Sequence, residues 1–256
     1  RAGAFAYDDA IDEVYDSQFG PNQNGGVGFG VWYCPKTYQS DQGGTYTVPN
    51  PPYSVPPLDE DRSWAMNGTI AMGRSLLNAM PVGTWTFLAA HYFVPGSQVE
   101  GFSGFSLKTL GGDNFADGEL LRFGYVYNLT GAGLYVSDNS GERYFPEECT
   151  YYSGDTLLYS ITWHGNGTYT LSVENKSTVH NWSYSTQGTM GLGSVAMLGT
   201  AIYGGTGESL VFDAYKVVPE PAAALPLFAL ATLATVLRRT RTNSLPSYTD
   251  FSPPGG

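Results

Sequence analysis

Positive charge is what this sequence most lacks: 12 Lys and Arg face 23 Asp and Glu, a formal net charge of -11 at pH 7. Nucleic-acid binders displace counterions with clustered Lys and Arg, so no nucleic-acid partner is expected. Charged residues of both signs make up only 14% of the chain, against roughly 25% in ordinary soluble domains. Cysteine is nearly absent. Cys34 and Cys149 are too few for a disulfide scaffold and form neither a CxxC motif nor a cluster with histidine. His91, His164 and His180 are scattered without acidic neighbours at ligand spacing, so each reads as a packing or turn residue.

Catalytic signatures are missing too. The chain has no Gly-x-Ser-x-Gly elbow, no His-Glu-x-x-His helix and no Gly-x4-Gly-Lys-Ser/Thr loop. A β-sandwich glycosidase with nucleophile and acid on one strand would show Glu-x-Asp-x-x-Glu, and that is absent as well. The carboxylates fall instead in apparent turns: Asp8-Asp9, Asp59-Glu60-Asp61, Asp113, Asp117 and Glu147-Glu148. They read as solvated, solubilising groups. No enzymatic activity and no cofactor is expected.

What the chain does have is glycine, with 33 residues, and aromatics at 14%. Apolar residues alternate in short runs, which is the period of half-buried strands. Trp85, Phe87 and Ala89 alternate with Thr84, Thr86 and Leu88; further runs are Phe102 to Leu107, Leu120 to Tyr127, Leu134 to Ser137, Leu157 to Trp163, Tyr169 to Glu174, Val195 to Tyr203 and Leu210 to Val217. The clearest hairpin turns through His164-Gly165-Asn166-Gly167, where Gly and Asn supply positive φ. Ile70 to Met80 has a helical alternative, but Gly73 within it favours a strand. Pro49 to Pro57 carries five prolines and reads as an extended surface loop. One all-β sandwich over residues 1–217 is the expected body.

Beyond it the composition shifts. Val218-Pro219-Glu220-Pro221 leads into an uncharged run from Ala222 to Leu237, closed by Arg238-Arg239-Thr240-Arg241. As a helix the run would be about 24 Å long, against a hydrocarbon layer of roughly 30 Å, so it spans with help from its flanks, snorkelling arginines and local thinning. Those arginines predict that their end stays in the cytoplasm and that the body lies outside. A buried core helix is the alternative, but the run shows no polar face.

In this order, the Pro-Glu-Pro motif (Pro219, Glu220, Pro221), the apolar segment and the cluster of Arg238, Arg239 and Arg241 resemble a PEP-CTERM sorting signal over residues 218–241. The resemblance implies export, anchoring in the inner membrane by a C-terminal transmembrane helix, processing by an exosortase-type partner, and a final place at the cell surface or in the extracellular matrix. The chain departs from such signals by continuing to Gly256, and residues 242–256 read as a disordered tail. The body is similar to exported concanavalin A-like or laminin-G-like jelly rolls, on its opening Phe5-Ala6-Tyr7-Asp8-Asp9 and Asn24 to Trp32 and its close Ser209 to Val217. That resemblance implies the jelly-roll fold rather than an activity.

Three sets of side chains are candidates within that frame. Tyr151, Tyr152, Trp163, Tyr169, Trp182 and Tyr184 lie on or beside neighbouring strands, with Trp182 and Tyr184 on one face if that segment is extended. Such rings stack on the apolar faces of sugars, and extracellular polysaccharide is the expected partner; common core packing is the competing explanation. Asp113, Asn114, Asp117 and Glu119 would offer calcium several oxygen ligands from one loop, although Gly and Asp are ordinary turn formers. Cys34 and Cys149 are a candidate disulfide in an oxidising compartment. The expected function is therefore a non-enzymatic surface or matrix protein that engages polysaccharide. A glycan-cleaving enzyme (glycosidase or lyase) on the same scaffold and a structural envelope protein without a ligand are the alternatives.

Overall fold

A computed structural model describes residues 6–10, 12–15, 19–35, 43–48, 58, 62–93, 101–112, 114, 116–128, 131–145, 151–204 and 209–219. The described residues form two antiparallel sheets. The first contains β1 (Ala6–Asp8), β3 (Gly43–Val48), β4 (Ser63–Gly68), β6 (Gly83–Tyr92), β11 (Leu157–Trp163), β12 (Thr168–Asn175), β13 (Trp182–Thr189) and β15 (Ser209–Val218). The second contains β2 (Phe29–Tyr33), β5 (Ile70–Met80), β7 (Gly101–Lys108), β8 (Glu119–Asn128), β9 (Gly131–Asp138), β10 (Gly141–Phe145) and β14 (Val195–Gly204). Strand order is β13-β12-β11-β6-β15-β4-β3 in the first, with β1 also on β15, and β10-β9-β8-β7-β14-β5-β2 in the second.

The sandwich expectation therefore holds, and Ile70–Met80 is the strand that Gly73 suggested. These strands lie within the unit Arg1–Pro219; the unit Glu220–Gly256 falls outside the described residues, as do all of the proline-rich segment Pro49 to Pro57 and all of the expected sorting helix and tail. No helix among the described residues is long and apolar enough to cross a membrane.

Alternation decides which side chains meet between the sheets. Trp85, Phe87 and Ala89 of β6 stand in register with Ile161, Tyr159 and Leu157 of β11, and all six are buried in the main core. Phe105 of β7 and Phe123 of β8 complete it from the other sheet. Phe87 stacks on Tyr159 at 5.1 Å and Trp85 meets Phe105 edge-on at 5.8 Å, the geometries aromatic quadrupoles prefer. Burying each such ring contributes about 1.5–3 kcal/mol. The expected hairpin forms as well: His164 N donates to Thr168 O at 2.8 Å, and Gly167 takes φ 79° at its end.

Two irregular features position the core. In β15 the register shifts between Asp213 and Lys216, where Ala214 adopts φ 55°. This one-residue bulge reverses the parity of the strand, so that Tyr215 and Val217 face inward like Leu210 and Phe212. Under β1 lies a buried polar cluster that corrects the reading of Asp8 and Asp9 as solvated. Asp8 is 0% and Asp9 7% exposed. Asp8 Oδ2 pairs with Arg74 Nη2 at 2.5 Å and accepts from Tyr15 OH at 2.9 Å. Arg74 also donates to the carbonyls of Gly30 and Gly25, and its guanidinium lies over Phe29 and Trp32. Burial raises Asp8 to about 6 despite the attraction of Arg74. Asp213, 0% exposed, accepts from Ala10 N, Ala214 N and Ser63 Oγ. Burial first, and the nearby charge of Asp9 second, raise it to about 8.

At the opposite edge Asp138 ties the sheets together. Its Oδ2 accepts from Arg143 Nη2 of β10 and from Tyr169 OH of β12, both at 2.6 Å. Asp138→Ala strips the buried Tyr169 hydroxyl of its acceptor and Arg143 of its carboxylate, leaving Arg143 its bond to Tyr169 OH, and is expected to cost about 1–3 kcal/mol, read from the shift of the urea midpoint. A midpoint unchanged within error would mean that this tie does not hold the edge.

Candidate functional site

The expected aromatic face divides once the strands are in register. Trp163 and Tyr169 are 0% exposed and Tyr151 5%. Trp163 Nε1 donates to Met80 O, and Tyr151 OH bonds the backbone of His91 as donor and acceptor. These three rings are core, which corrects their reading as sugar platforms. Trp182 and Tyr184 do share a face, as expected, but they stand opposite Asn175 and Val173, whose side chains point inward. Both pack on the margin of the core, Tyr184 against Phe145 at 5.3 Å. Tyr152 alone of the six is as much as 51% exposed. It stacks at 3.7 Å on His180, whose Nδ1 lies 3.2 Å from Asp155 Oδ2.

The other candidates lie only partly within the described residues. Asp117 Oδ2 accepts from Asn114 N at 3.0 Å, closing the loop on itself, and Glu119 Oε2 is held by Arg122 Nε at 2.9 Å. Asp113 falls outside the described residues. No group of three or more His, Cys, Asp or Glu among the described residues is placed to hold a metal. Cys34 is buried, with Sγ 3.7 Å from Pro35 O, and its expected partner Cys149 falls outside the described residues. So do Glu220, Pro221, Arg238, Arg239 and Arg241 of the expected sorting signal; Pro219 ends the described chain. His91 is a core residue, as read: Nδ1 is 2.8 Å from Ser103 Oγ and Nε2 2.9 Å from Tyr159 OH, and burial lowers it to about 3.

A different surface gathers the chemistry. Strand β7 is buried on both of its faces. Ser103, Phe105 and Leu107 point into the sandwich, so Phe102, Gly104, Ser106 and Lys108 line the outside of the second sheet. Register places Val126, Gly124 and Arg122 of β8 beside Phe102, Gly104 and Ser106, and Tyr203, Ala201 and Gly199 of β14 on their other flank. Tyr135 and Ser137 follow on β9, then Tyr144 and Glu142 on β10. Phe102, Tyr135, Ala71 and Ala201 form an apolar cluster separate from the main core, with Val126 and Tyr203 against it.

Small residues let the rings lie flat. A Cβ on Gly104 would meet Phe102 Cζ at 2.6 Å, and one on Gly73 would meet Met197 Sδ at 2.7 Å. Phe102 packs on Tyr203 at 4.9 Å and on Tyr135 at 5.7 Å, and Tyr135 on Tyr144 at 5.3 Å. The result is a row of four packed rings drawn from β14, β7, β9 and β10, in which Phe102 and Tyr135 are buried at 2% and 3% exposure, Tyr203 is half-buried and Tyr144, at the open end, is 55% exposed. Polar groups border it. Arg122 Nη1 donates to Tyr203 OH at 2.7 Å, while Glu142 accepts from Tyr135 OH at 2.9 Å and Tyr144 OH at 3.1 Å. Desolvation raises the Tyr135 hydroxyl above the usual phenol range. Lys108 is lowered to about 8, first by burial and with Arg122 adding to it, while Glu119 and Asp117 oppose the shift. Ser106 Oγ, fully buried in the same row, has no hydrogen-bond partner among the described residues.

Sequence reasoning missed this strip because its residues come from four separate strands. One signal was present. Gly-Phe-Ser-Gly-Phe-Ser-Leu-Lys of β7 shows no polar phase, the pattern of a strand covered on both sides.

No family model matches the chain, and no curated protein matches it. Solved structures do. The globular domain of T. cruzi calreticulin superposes with a TM-score of 0.51 at 10% identity, over 82% of this chain and 94% of that one. Lectin II from Ulex europaeus is similar over 78% of this chain and 95% of its own at 11% identity and a TM-score of 0.46. The Bacillus licheniformis β-glucanase is similar over 80% and 98% at 8% identity and a TM-score of 0.42. At such identities the likeness is one of fold, and that fold is the jelly-roll-like sandwich of two antiparallel sheets.

Proposed function

We propose that this chain is an exported surface or matrix protein of concanavalin A-like fold that binds extracellular polysaccharide, without cleaving it, on the outside of its second sheet. The observation that carries the reading is the exposed ring of Tyr144 beside the exposed carboxylate of Glu142, backed by the buried rings of Tyr135 and Phe102 and followed by the half-buried Tyr203 with Arg122. Sugar rings stack their C–H faces on such aromatics while bordering polar groups take their hydroxyls. A strip that crosses several strands suits a chain of sugars better than a single ring. The address rests on residues 218–241: Pro-Glu-Pro, an apolar run and arginines in that order are expected to hold the chain in the inner membrane until an exosortase-type enzyme processes it. This role requires no cofactor.

Binding is tested by affinity electrophoresis through gels containing soluble polysaccharides. Tyr144→Ala and Tyr203→Ala are expected to weaken retention by about tenfold each, near 1.4 kcal/mol, whereas Tyr152→Ala, away from the strip, leaves it within twofold. The opposite pattern would move the site to the Tyr152 and His180 stack.

A cleaving enzyme is the second reading, because Glu119 and Glu142 both border the strip. Their hydrogen bonds count against it: Glu119 is taken by Arg122 and Glu142 by two tyrosine hydroxyls, so neither is offered outward as a proton donor. New reducing ends, or unsaturated ends, released from a bound polysaccharide would establish the enzymatic reading instead.

A further inference from the structure

We infer that the polysaccharide taken by the outside of the second sheet is neutral, and that uronate or sulfate polymers are excluded. The inference rests on the binding reading above and follows from the distribution of charge across the face. Arg122, the cation beside the half-buried end of the strip, already has a carboxylate. Arg122 Nε is paired with Glu119 Oε2 at 2.9 Å, and the Arg122 Nη1 bond goes to Tyr203 OH. At the open end, beside the most exposed ring, Glu142 is held by the hydroxyls of Tyr135 and Tyr144.

An acidic sugar stacked on Tyr144 would therefore bring its carboxylate towards Glu142, while Arg122 is engaged with Glu119 and Tyr203. Like charges within a few ångströms are repelled even in water, and more strongly where the surface excludes solvent. The chain as a whole carries -11, which slows the approach of any polyanion at low salt. A neutral sugar meets none of these penalties. Its hydroxyls both donate and accept, which suits the exposed carboxylate of Glu142 as an acceptor beside Tyr144. The tyrosine hydroxyls offer further acceptors along the strip.

The experiment compares retention of the folded protein in gels of neutral β-glucan and galactomannan with gels of alginate and polygalacturonate, at 20 and 200 mM NaCl. The expected result is retention by at least one neutral polymer, changed less than twofold by salt, and at least tenfold weaker retention by both acidic ones. Glu142→Gln, which keeps an acceptor for the tyrosines and removes the charge, is expected to narrow the neutral-to-acidic ratio at least threefold. Acidic polymers held as well as neutral ones, with retention falling as salt rises, would overturn the inference while leaving the binding reading intact. So would a ratio unmoved by Glu142→Gln. Retention by none of the four, in a protein whose thermal transition shows it folded, would overturn the binding reading itself and this inference with it.

Discussion

Replacing Arg74 by Met is expected to destabilise the sandwich by about 3–5 kcal/mol, because it leaves the carboxylate of Asp8 buried without its cation. Both side chains of the pair are 0% exposed, so solvent neither screens the pair nor rescues the widowed charge. The loss goes beyond Coulomb attraction. Arg74 also binds the carbonyls of Gly25 and Gly30 and carries the rings of Phe29 and Trp32, so its guanidinium pins the segment between β1 and β2 to β5. The deficit is expected to shrink as pH falls, since protonating Asp8 removes the uncompensated charge. With its folded pKa raised to about 6 from 3.8, Asp8 contributes most below the lower value and loses that contribution as pH rises through the upper one. Adding Asp8→Asn to the Arg74→Met variant should recover part of the stability at neutral pH. Urea unfolding at pH 5 and 8 measures both effects. A single-variant loss under 1 kcal/mol, equal at the two values, would show that the cluster is filling rather than a fastening.

Asp213→Asn is expected to stabilise the protein at pH 8 by a few kcal/mol and to change little near pH 4. The folded pKa is raised from 3.8 to about 8, so the native state keeps a proton that the unfolded chain releases. Stability from this group is therefore complete below about pH 4 and falls steadily until pH passes 8, at about 1.4 kcal/mol for each unit of separation. Asparagine reproduces the protonated form. Its Oδ1 accepts from Ala10 N and Ala214 N as Asp213 Oδ1 does, and its amide donates where Ser63 Oγ stands. Melting temperatures of the two proteins should converge as pH falls from 8 to 4. Parallel curves, or a variant less stable throughout, would show that the carboxylate is needed as an anion to hold the β15 bulge. His91 acts in the opposite direction: lowered to about 3, it destabilises the fold as pH falls below the ordinary histidine value of roughly 6.5.

The strands were legible because alternation is local. Trp85, Phe87 and Ala89 announce a half-buried strand whatever lies beside them, and Gly165, Asn166 and Gly167 allow little except a turn. Ile70–Met80 was harder, because its apolar residues suit either period; Gly73 tipped it, and in the fold Gly73 lies beneath Met197. The candidate site was far less legible. Trp182 and Tyr184 share a parity in any extended chain, but which side of the sheet that parity faces depends on β12, and β12 turns them towards the core. Asp8 and Asp9 looked like turn carboxylates because burial of a charge is decided by distant partners such as Arg74.

Sequence alone determined the all-β class, the hairpin at residues 164–167 and the surplus of negative charge, since each follows from a residue's own chemistry or from its immediate neighbours. Tertiary structure alone decided the orientation of each strand and the assembly of Phe102, Tyr135, Tyr144 and Tyr203 into one strip. The physical reason is that a strand's period of two separates its side chains into two sets, and only pairing across the sheet decides which set is buried.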